Sequence, residues 1–226
     1  MEIKDAIAEL RKEKKRKFVQ TLDVIINLKE FDVRKEALNT FVSVPHSGEK
    51  KIAAFLTKRS NVVDTITELD FEKYKETRDM KKLAKKYDYF MAVAPMMAKV
   101  ATKFGRVFGP MSKMPSPQAG IVPKDDDETV KAMFDKMQKV IRVKNKEMAI
   151  KLPVGKEDMK DSDLKENIEA VLVGLEKVLP RGKENIREVI IKFTMSKPIV
   201  VIAVKGTVSS EVVARHTPKT LSEGAK

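Results

Sequence analysis

Residues Tyr89 to Ala94 read YFMAVA, six apolar side chains in succession. A strand with one wet face alternates apolar and polar residues. An unbroken apolar run of this length suits a strand buried on both faces, as in a parallel sheet with helices on either side. Lys51 to Leu56 (KIAAFL) is a second short run of the same kind. Residues 61 to 87 read as polar helix with a short strand near Thr65-Ile66, Pro95 opens a helix that runs to Phe104, and Glu128 to Gln138 is another. Residues 105 to 127 read as loop, with four prolines and three glycines. Strand and helix therefore alternate through the middle of the chain, the pattern of a parallel α/β unit.

The flanks read differently. Ile3, Ala6, Ile7 and Leu10 recur at helical spacing, which predicts an amphipathic helix over residues 2 to 14. Thr21 to Leu28 and Asn39 to Val44 read as strands; at the end of the middle segment Val140 to Val143 and Met148 to Leu152 read as two more, joined at Lys144-Asn145-Lys146. Ser162 is placed to cap a long helix with Leu164, Ile168, Val171, Leu172, Leu175 and Leu179 on one face. Val189 to Phe193 and Ile199 to Val204 are further strands, and the last twenty residues are polar and expected to be loose. Breaker clusters occur at Pro45-His46-Ser47-Gly48 and at Pro153-Val154-Gly155-Lys156. The simplest architecture has two domains: residues 1–48 and 155–226 form a split outer α+β domain, and residues 49–154 form an inserted α/β domain. Gly48 and Gly155, one at each chain crossing, would form the hinge.

A formal net charge of +13 over 226 residues calls for a polyanionic partner, nucleic acid or anionic membrane. No run of 18 apolar residues is available to span a bilayer, and the first residues carry no apolar signal-peptide centre, so a cytoplasmic protein is expected. Cysteine is absent, and the two histidines, His46 and His216, lie far apart, so neither thiolate nor histidine metal chemistry is expected. Gly105-Arg106-Val107-Phe108-Gly109 lacks the Gly-Lys-Ser/Thr ending of a phosphate-cradling loop, and Asp125-Asp126-Asp127-Glu128 reads as acids matched to a helix start. No nucleophile and base pair is recognisable, so neither an enzyme nor a cofactor is expected. The basic features are more specific. Arg11 to Lys17 holds six basic residues in seven, and Tyr89 to Lys124 contains no acid although it carries Lys99, Lys103, Arg106, Lys113 and Lys124. Both stretches are candidates for contact with a phosphate backbone.

Four motifs carry a family resemblance. Lys17-Phe18-Val19-Gln20-Thr21-Leu22-Asp23, followed by Val24 to Lys29, resembles the strand that opens the RNA-binding face of the universal large-subunit ribosomal protein number one family, archaeal type. Val44-Pro45-His46-Ser47-Gly48 is similar to that family's Leu-Pro-His-Gly stretch. Phe108-Gly109-Pro110-Met111-Ser112-Lys113-Met114-Pro115-Ser116-Pro117 resembles its Leu-Gly-Pro-x-Gly-x-Met-Pro-x-Pro signature, and Phe193-Thr194-Met195-Ser196-Lys197-Pro198 its Thr-Met-Gly turn. The chain departs from the pattern at Ser112 and Ser196, both glycine in the family.

The resemblance implies an outer domain with a four-stranded antiparallel sheet and two helices, and an inserted three-layer, Rossmann-like α/β domain. It also implies a monomer that binds large-subunit ribosomal RNA at the mobile stalk beside the tRNA exit site, meets tRNA transiently, and represses translation through a site in its own mRNA. By the same resemblance the RNA-binding residues are Lys17, Phe18, Thr21, Asp23, Thr194, Met195 and Ser196. Phe18 would offer its ring to ribose or base, although a strand aromatic is as often a core residue. Thr21 and Ser196 would offer hydroxyls to 2′-OH groups. Lys151, on the strand before the second crossing, is a further candidate for a phosphate contact, although an exposed strand lysine is usually only solvated. Two other readings stand beside this one: an enzyme built on the α/β domain, and a non-ribosomal binder of single strands, which should show stacking aromatics where this chain has 6% aromatics and no tryptophan.

Overall fold

The computed structural model describes residues 1–13, 16–34, 38–118, 120–145 and 147–203. In chain order the elements are α1 (Ile3–Lys12), β1 (Thr21–Leu28), β2 (Asn39–Ser43), β3 (Ile52–Phe55), β4 (Asp64–Ile66), α2 (Thr77–Lys86), β5 (Tyr89–Val93) and α3 (Met97–Phe108). There follow β6 (Ile121–Val122), α4 (Asp127–Gln138), β7 (Val140–Lys144), β8 (Ala149–Lys156), α5 (Asp161–Glu176), β9 (Ile186–Phe193) and β10 (Ile199–Ala203). The strand expected to reach Val204 is described as far as Ala203, and Val204 and the tail beyond it lie outside the described residues.

The flanks build an antiparallel sheet in the order β10-β9-β1-β8. Strand β1 alternates strictly, with Leu22, Val24, Ile26 and Leu28 buried and Thr21, Asp23, Ile25 and Asn27 on the other face. Period-two burial leaves one face for water and one for helices. The buried face packs on Ala6, Ile7 and Leu10 of α1 and on Leu164, Ile168, Val171 and Leu175 of α5. Helix α5 begins after Lys160, and no side chain caps it. The Ser162 hydroxyl bonds to Asp163 instead, so the expected serine cap is not formed.

Two strands assigned to the inserted segment by sequence belong with this core, β8 in the sheet itself and β7 in a separate two-stranded sheet with β2. β7 and β8 do not pair with each other. β7 pairs with β2 (Thr40 opposite Val143), and β8 pairs with β1 (Ile25 opposite Lys151). The cause lies in alternation: Ile150, Leu152 and Val154 all point into the core that β1 buries, as do Ile141 and Val143. Pro153 is tolerated because β8 is an edge strand. Gly155 therefore sits inside a strand, opposite Leu22, and not at a crossing. Its lack of a side chain serves packing, since a Cβ there would collide with Leu164 and lie 3.0 Å from the Met159 sulfur. Gly48, by contrast, lies exposed in the link between β2 and β3 with open space around it.

The same close approach recurs at Gly174 of α5, where a Cβ would stand 2.5 Å from one Val42 methyl and 3.1 Å from the other. Val42 is buried and its branched side chain is stiff, so it cannot swing aside. Gly174→Ala gains about 1 kcal/mol of helix propensity but overpacks the β2 contact at a cost of about 1–3 kcal/mol. The net expectation is a loss of about 1 kcal/mol in urea unfolding, and an increase in stability would show that helix and strand are not packed this closely.

Residues between the first and second crossings form a parallel sheet in the order β4-β3-β5-β6. Alternate residues of β3 and β5 feed two cores. Phe55 and Phe90 join Phe104 and Phe108 of α3 and Met80 and Leu83 of α2 on one side. Ile52, Ala54, Met91 and Val93 join Val130 and Met137 of α4 on the other. This is why both strands read as unbroken apolar runs. The expected loop over residues 105 to 127 is shorter than predicted: α3 continues through Gly105 to Phe108, and β6 adds a two-residue strand. Gly105 is tolerated in the helix, where its carbonyl accepts the Gly109 N–H at 2.9 Å.

The chain passes from the paired strands β2 and β7 to the parallel sheet at residues 45–50 and near Gln138, and the crossings are stitched together. The Lys50 ammonium donates to the carbonyls of Gln138 (2.7 Å) and Val140 (2.8 Å), the Gln138 amide donates to the Lys50 carbonyl (2.8 Å), and the Ser47 hydroxyl donates to the Gln138 carbonyl. Burial lowers the Lys50 amine to about 8, with nearby Asp88 opposing the shift. On the α5 side, fully buried Asn167 accepts the His46 N–H (2.9 Å) and donates to the Val154 carbonyl (3.1 Å), which fixes where the first crossing leaves the sheet.

Candidate nucleic-acid interface

The sequence-predicted site residues at the start of β1 and the end of β9 come together at one end of the antiparallel sheet. Register forces this: Leu22 lies opposite Phe193, so Thr21 meets the turn that follows β9. The Thr194 N–H donates to the Thr21 carbonyl (3.1 Å), and the Thr21 N–H donates to the Thr194 hydroxyl oxygen (3.2 Å). Among the described residues the Thr21 hydroxyl itself has no hydrogen-bond partner, so it is free to meet a ligand.

The turn is locked from within and from behind. The Ser196 N–H donates to the Phe193 carbonyl (3.1 Å), and the Ser196 hydroxyl accepts the Phe193 N–H (2.8 Å). That hydroxyl is therefore engaged in the turn, which leaves its second lone pair for a 2′-OH. It also explains how serine stands where the family has glycine, since Ser196 is not among the residues with positive φ. Ser112 is, at 56°, so the glycine it replaces matters more there. Behind the turn, buried Gln20 accepts the Met195 N–H (3.1 Å), and the Gln20 carbonyl accepts the N–H of Glu157 (2.8 Å). Sequence reading missed Gln20 and Glu157, because nothing in their spacing announces a tie across more than a hundred residues.

Phe18 is 53% exposed and Met195 57%, which excludes the core reading of Phe18 and leaves two large apolar side chains at the rim. Lys17 is exposed beside Phe18. Asp23 lies one pair further in, opposite Lys192, and its carboxyl is raised by burial while the Lys192 ammonium acts the other way. Lys151 is not brought to this cluster. It sits opposite Ile25, four residues along β1 from Thr21, or about 13 Å away at ordinary strand rise, and it pairs with Glu147 at 3.3 Å. The lysine opposite Thr21 is Lys156, which alternation alone could have shown once β8 was paired correctly. A cleft of about 450 Å³ runs from Thr21 and Lys156 past Lys50 to Ser112 and Arg142.

Two basic features resolve differently from expectation. Arg11, at the head of the basic run, is tied to Asp161 (2.5 Å) and the Met159 carbonyl (2.6 Å), so it is structural, while Lys14 and Lys15 lie outside the described residues. In the acid-free stretch, Lys113 donates to the carbonyls of Ala84 (2.6 Å) and Tyr87 (2.5 Å) at the end of α2, and Lys99 pairs with Glu68. Those two lysines hold protein, not phosphate.

A family model, described as the ribosomal protein L1p/L10e family, matches residues 10–197, from the end of α1 through the Thr194 turn. The chain belongs to that family. It is 36% identical over 211 residues to the large ribosomal subunit protein uL1 of Pyrococcus horikoshii, covering 87% of this chain and 94% of that one. The protein of the same name from Nanoarchaeum equitans is 32% identical over 209 residues (88% and 98% covered), and that from Methanobrevibacter smithii 33% over 213 residues (88% and 97%). Membership makes this a structural protein and not an enzyme. Among the described residues no group of acidic or histidine side chains is arranged to hold a metal ion, and no helix is long and apolar enough to cross a membrane.

Proposed function

We propose that this chain is a structural component of the large ribosomal subunit, cytoplasmic with the ribosome, that grips ribosomal RNA through the end of its antiparallel sheet. The observation that carries the reading is the strand-end turn itself: a free Thr21 hydroxyl beside two exposed apolar side chains, Phe18 and Met195, on a backbone locked by Thr194, Ser196 and Gln20. Such a rigid polar and apolar rim suits the ribose edge and unstacked bases of structured RNA. Fold and charge support the same reading. The outer and inserted parts have separate cores joined by two stitched crossings, so the outer domain holds RNA while the inserted domain, about residues 51–138, moves as a body on the crossings at Gly48 and Gln138. A body of this kind belongs on a mobile stalk, where it would assist departure of deacylated tRNA. Binding of a matching structure in its own mRNA would make it a translational repressor.

The single-strand reading is less well supported, because the open sheet face carries Ile25, Ile190 and Val200 where a stacking platform would carry aromatics. Fluorescence anisotropy with a structured large-subunit RNA fragment and with unstructured oligomers of equal length separates the two. The expected result is a preference of roughly tenfold or more for the structured fragment that persists at higher salt. Equal affinity at both salts would overturn the ribosomal reading.

A further inference from the structure

We propose that the outer face of α2, continued by α3, is a second RNA-backbone contact, separate from the strand-end turn. Arg78, Lys81, Lys82 and Lys85 stand at i, i+3, i+4 and i+7 and all are exposed, while Met80, Leu83 and Ala84 face the core. The spacing places the four cations on one stripe about 10 Å long. α3 packs against the same core side and adds Lys103 and Arg106. Together the two helices carry eight lysines and arginines and one acid, Asp79. The helix on the opposite side of the sheet, α4, carries two lysines and three acids. The inserted part is thus polarised, with its positive charge gathered on one layer.

On the stripe only Lys82 is ion-paired, with Asp79 at 3.0 Å. Arg78, Lys81 and Lys85 have no ion-pair partner among the described residues. Arg78 with Lys82 and Lys81 with Lys85 are like charges one turn apart, each pair destabilising an isolated helix by about 0.2–0.5 kcal/mol. A polyanion that presents a charge every few ångströms along its length relieves that repulsion, and a stripe of about 10 Å meets roughly three phosphates of one strand. A membrane surface fits poorly, since an interfacial helix needs exposed apolar residues and those of α2 are buried.

The test titrates the full chain against a 20-base-pair RNA duplex of arbitrary sequence at several salt concentrations. Lys81→Gln with Lys85→Gln is compared with Lys131→Gln with Lys136→Gln on α4, which removes the same charge. The first pair should lower the slope of log affinity against log salt by about two, the second should leave it unchanged, and Lys81→Arg with Lys85→Arg should retain it. All three double variants are checked for wild-type melting. An unchanged slope in the first pair, or an equal fall in the second, would overturn the proposal. So would wild-type affinity for a polyglutamate peptide equal to that for the duplex, which would make this an acidic-protein surface. The strand-end turn is not at stake, because none of the substituted lysines belongs to it.

Discussion

Phe18→Ala combined with Thr21→Val is expected to lower affinity for a structured large-subunit RNA fragment about 100-fold at fixed salt. Truncating a ring that meets a base or ribose removes about 1–3 kcal/mol, and losing one hydroxyl contact removes about 0.5–1.5 kcal/mol. A combined loss near 3 kcal/mol is about a factor of one hundred. Neither change touches a charge, so the salt dependence should stay as in the wild type, which separates loss of fit from loss of general attraction. Folding should survive: Phe18 is half exposed, and the tie between Thr21 and Thr194 uses the Thr21 backbone and the Thr194 side chain. Affinity within twofold of wild type, in a variant that melts normally, would show that RNA is held elsewhere.

The second large effect concerns where the chain can be cut. A protein in which residue 48 is joined to residue 155, as the sequence boundaries suggest, is expected not to fold. It lacks β7 and β8, and with them Ile141, Val143, Ile150, Leu152 and Val154 from the core. At about 1.5–3 kcal/mol for each buried side chain the loss is about 10 kcal/mol, comparable with the whole stability of a domain. Joining residue 48 to residue 139 through a short Gly/Ser linker keeps both strands. That protein should unfold cooperatively and bind the specific RNA fragment within about fivefold of the full chain, because units joined by modest interfaces fold alone. Circular dichroism with urea, followed by RNA titration, checks both. Folding of the shorter version would mean that β8 is dispensable, against its pairing along the length of β1.

Much of this arrangement was legible in the residues. The YFMAVA and KIAAFL runs foretold strands buried on both faces, and Thr21 to Leu28 read as a strand, although its Val24-Ile25-Ile26 run hides the one-face burial that the fold gives it. The Lys17–Asp23 and Phe193–Pro198 motifs do meet at one sheet end. What misled was local punctuation. Pro153 and Gly155 read as a breaker, yet an edge strand tolerates the proline, and the glycine makes room for Leu164. Lys113 read as a phosphate ligand because neighbouring acids were absent, whereas a lysine can equally be satisfied by the carbonyls that end a helix. Gln20 gave no signal, since its partners, Met195 and Glu157, are brought to it only by the fold.

The order in which strands leave the ribosome during synthesis follows from the sheet order β10-β9-β1-β8. β1 emerges early, but its two neighbours begin only at Ala149 and Ile186. Residues 52–138 are contiguous, so the parallel sheet can close while β1 still waits with Leu22, Val24, Ile26 and Leu28 unpaired. At about 5–20 residues per second the wait lasts on the order of ten seconds or more. During that interval α1 and β1 form an amphipathic segment with no sheet to join, the state in which a nascent chain most needs a chaperone. A chain truncated before Ala149 would never leave it.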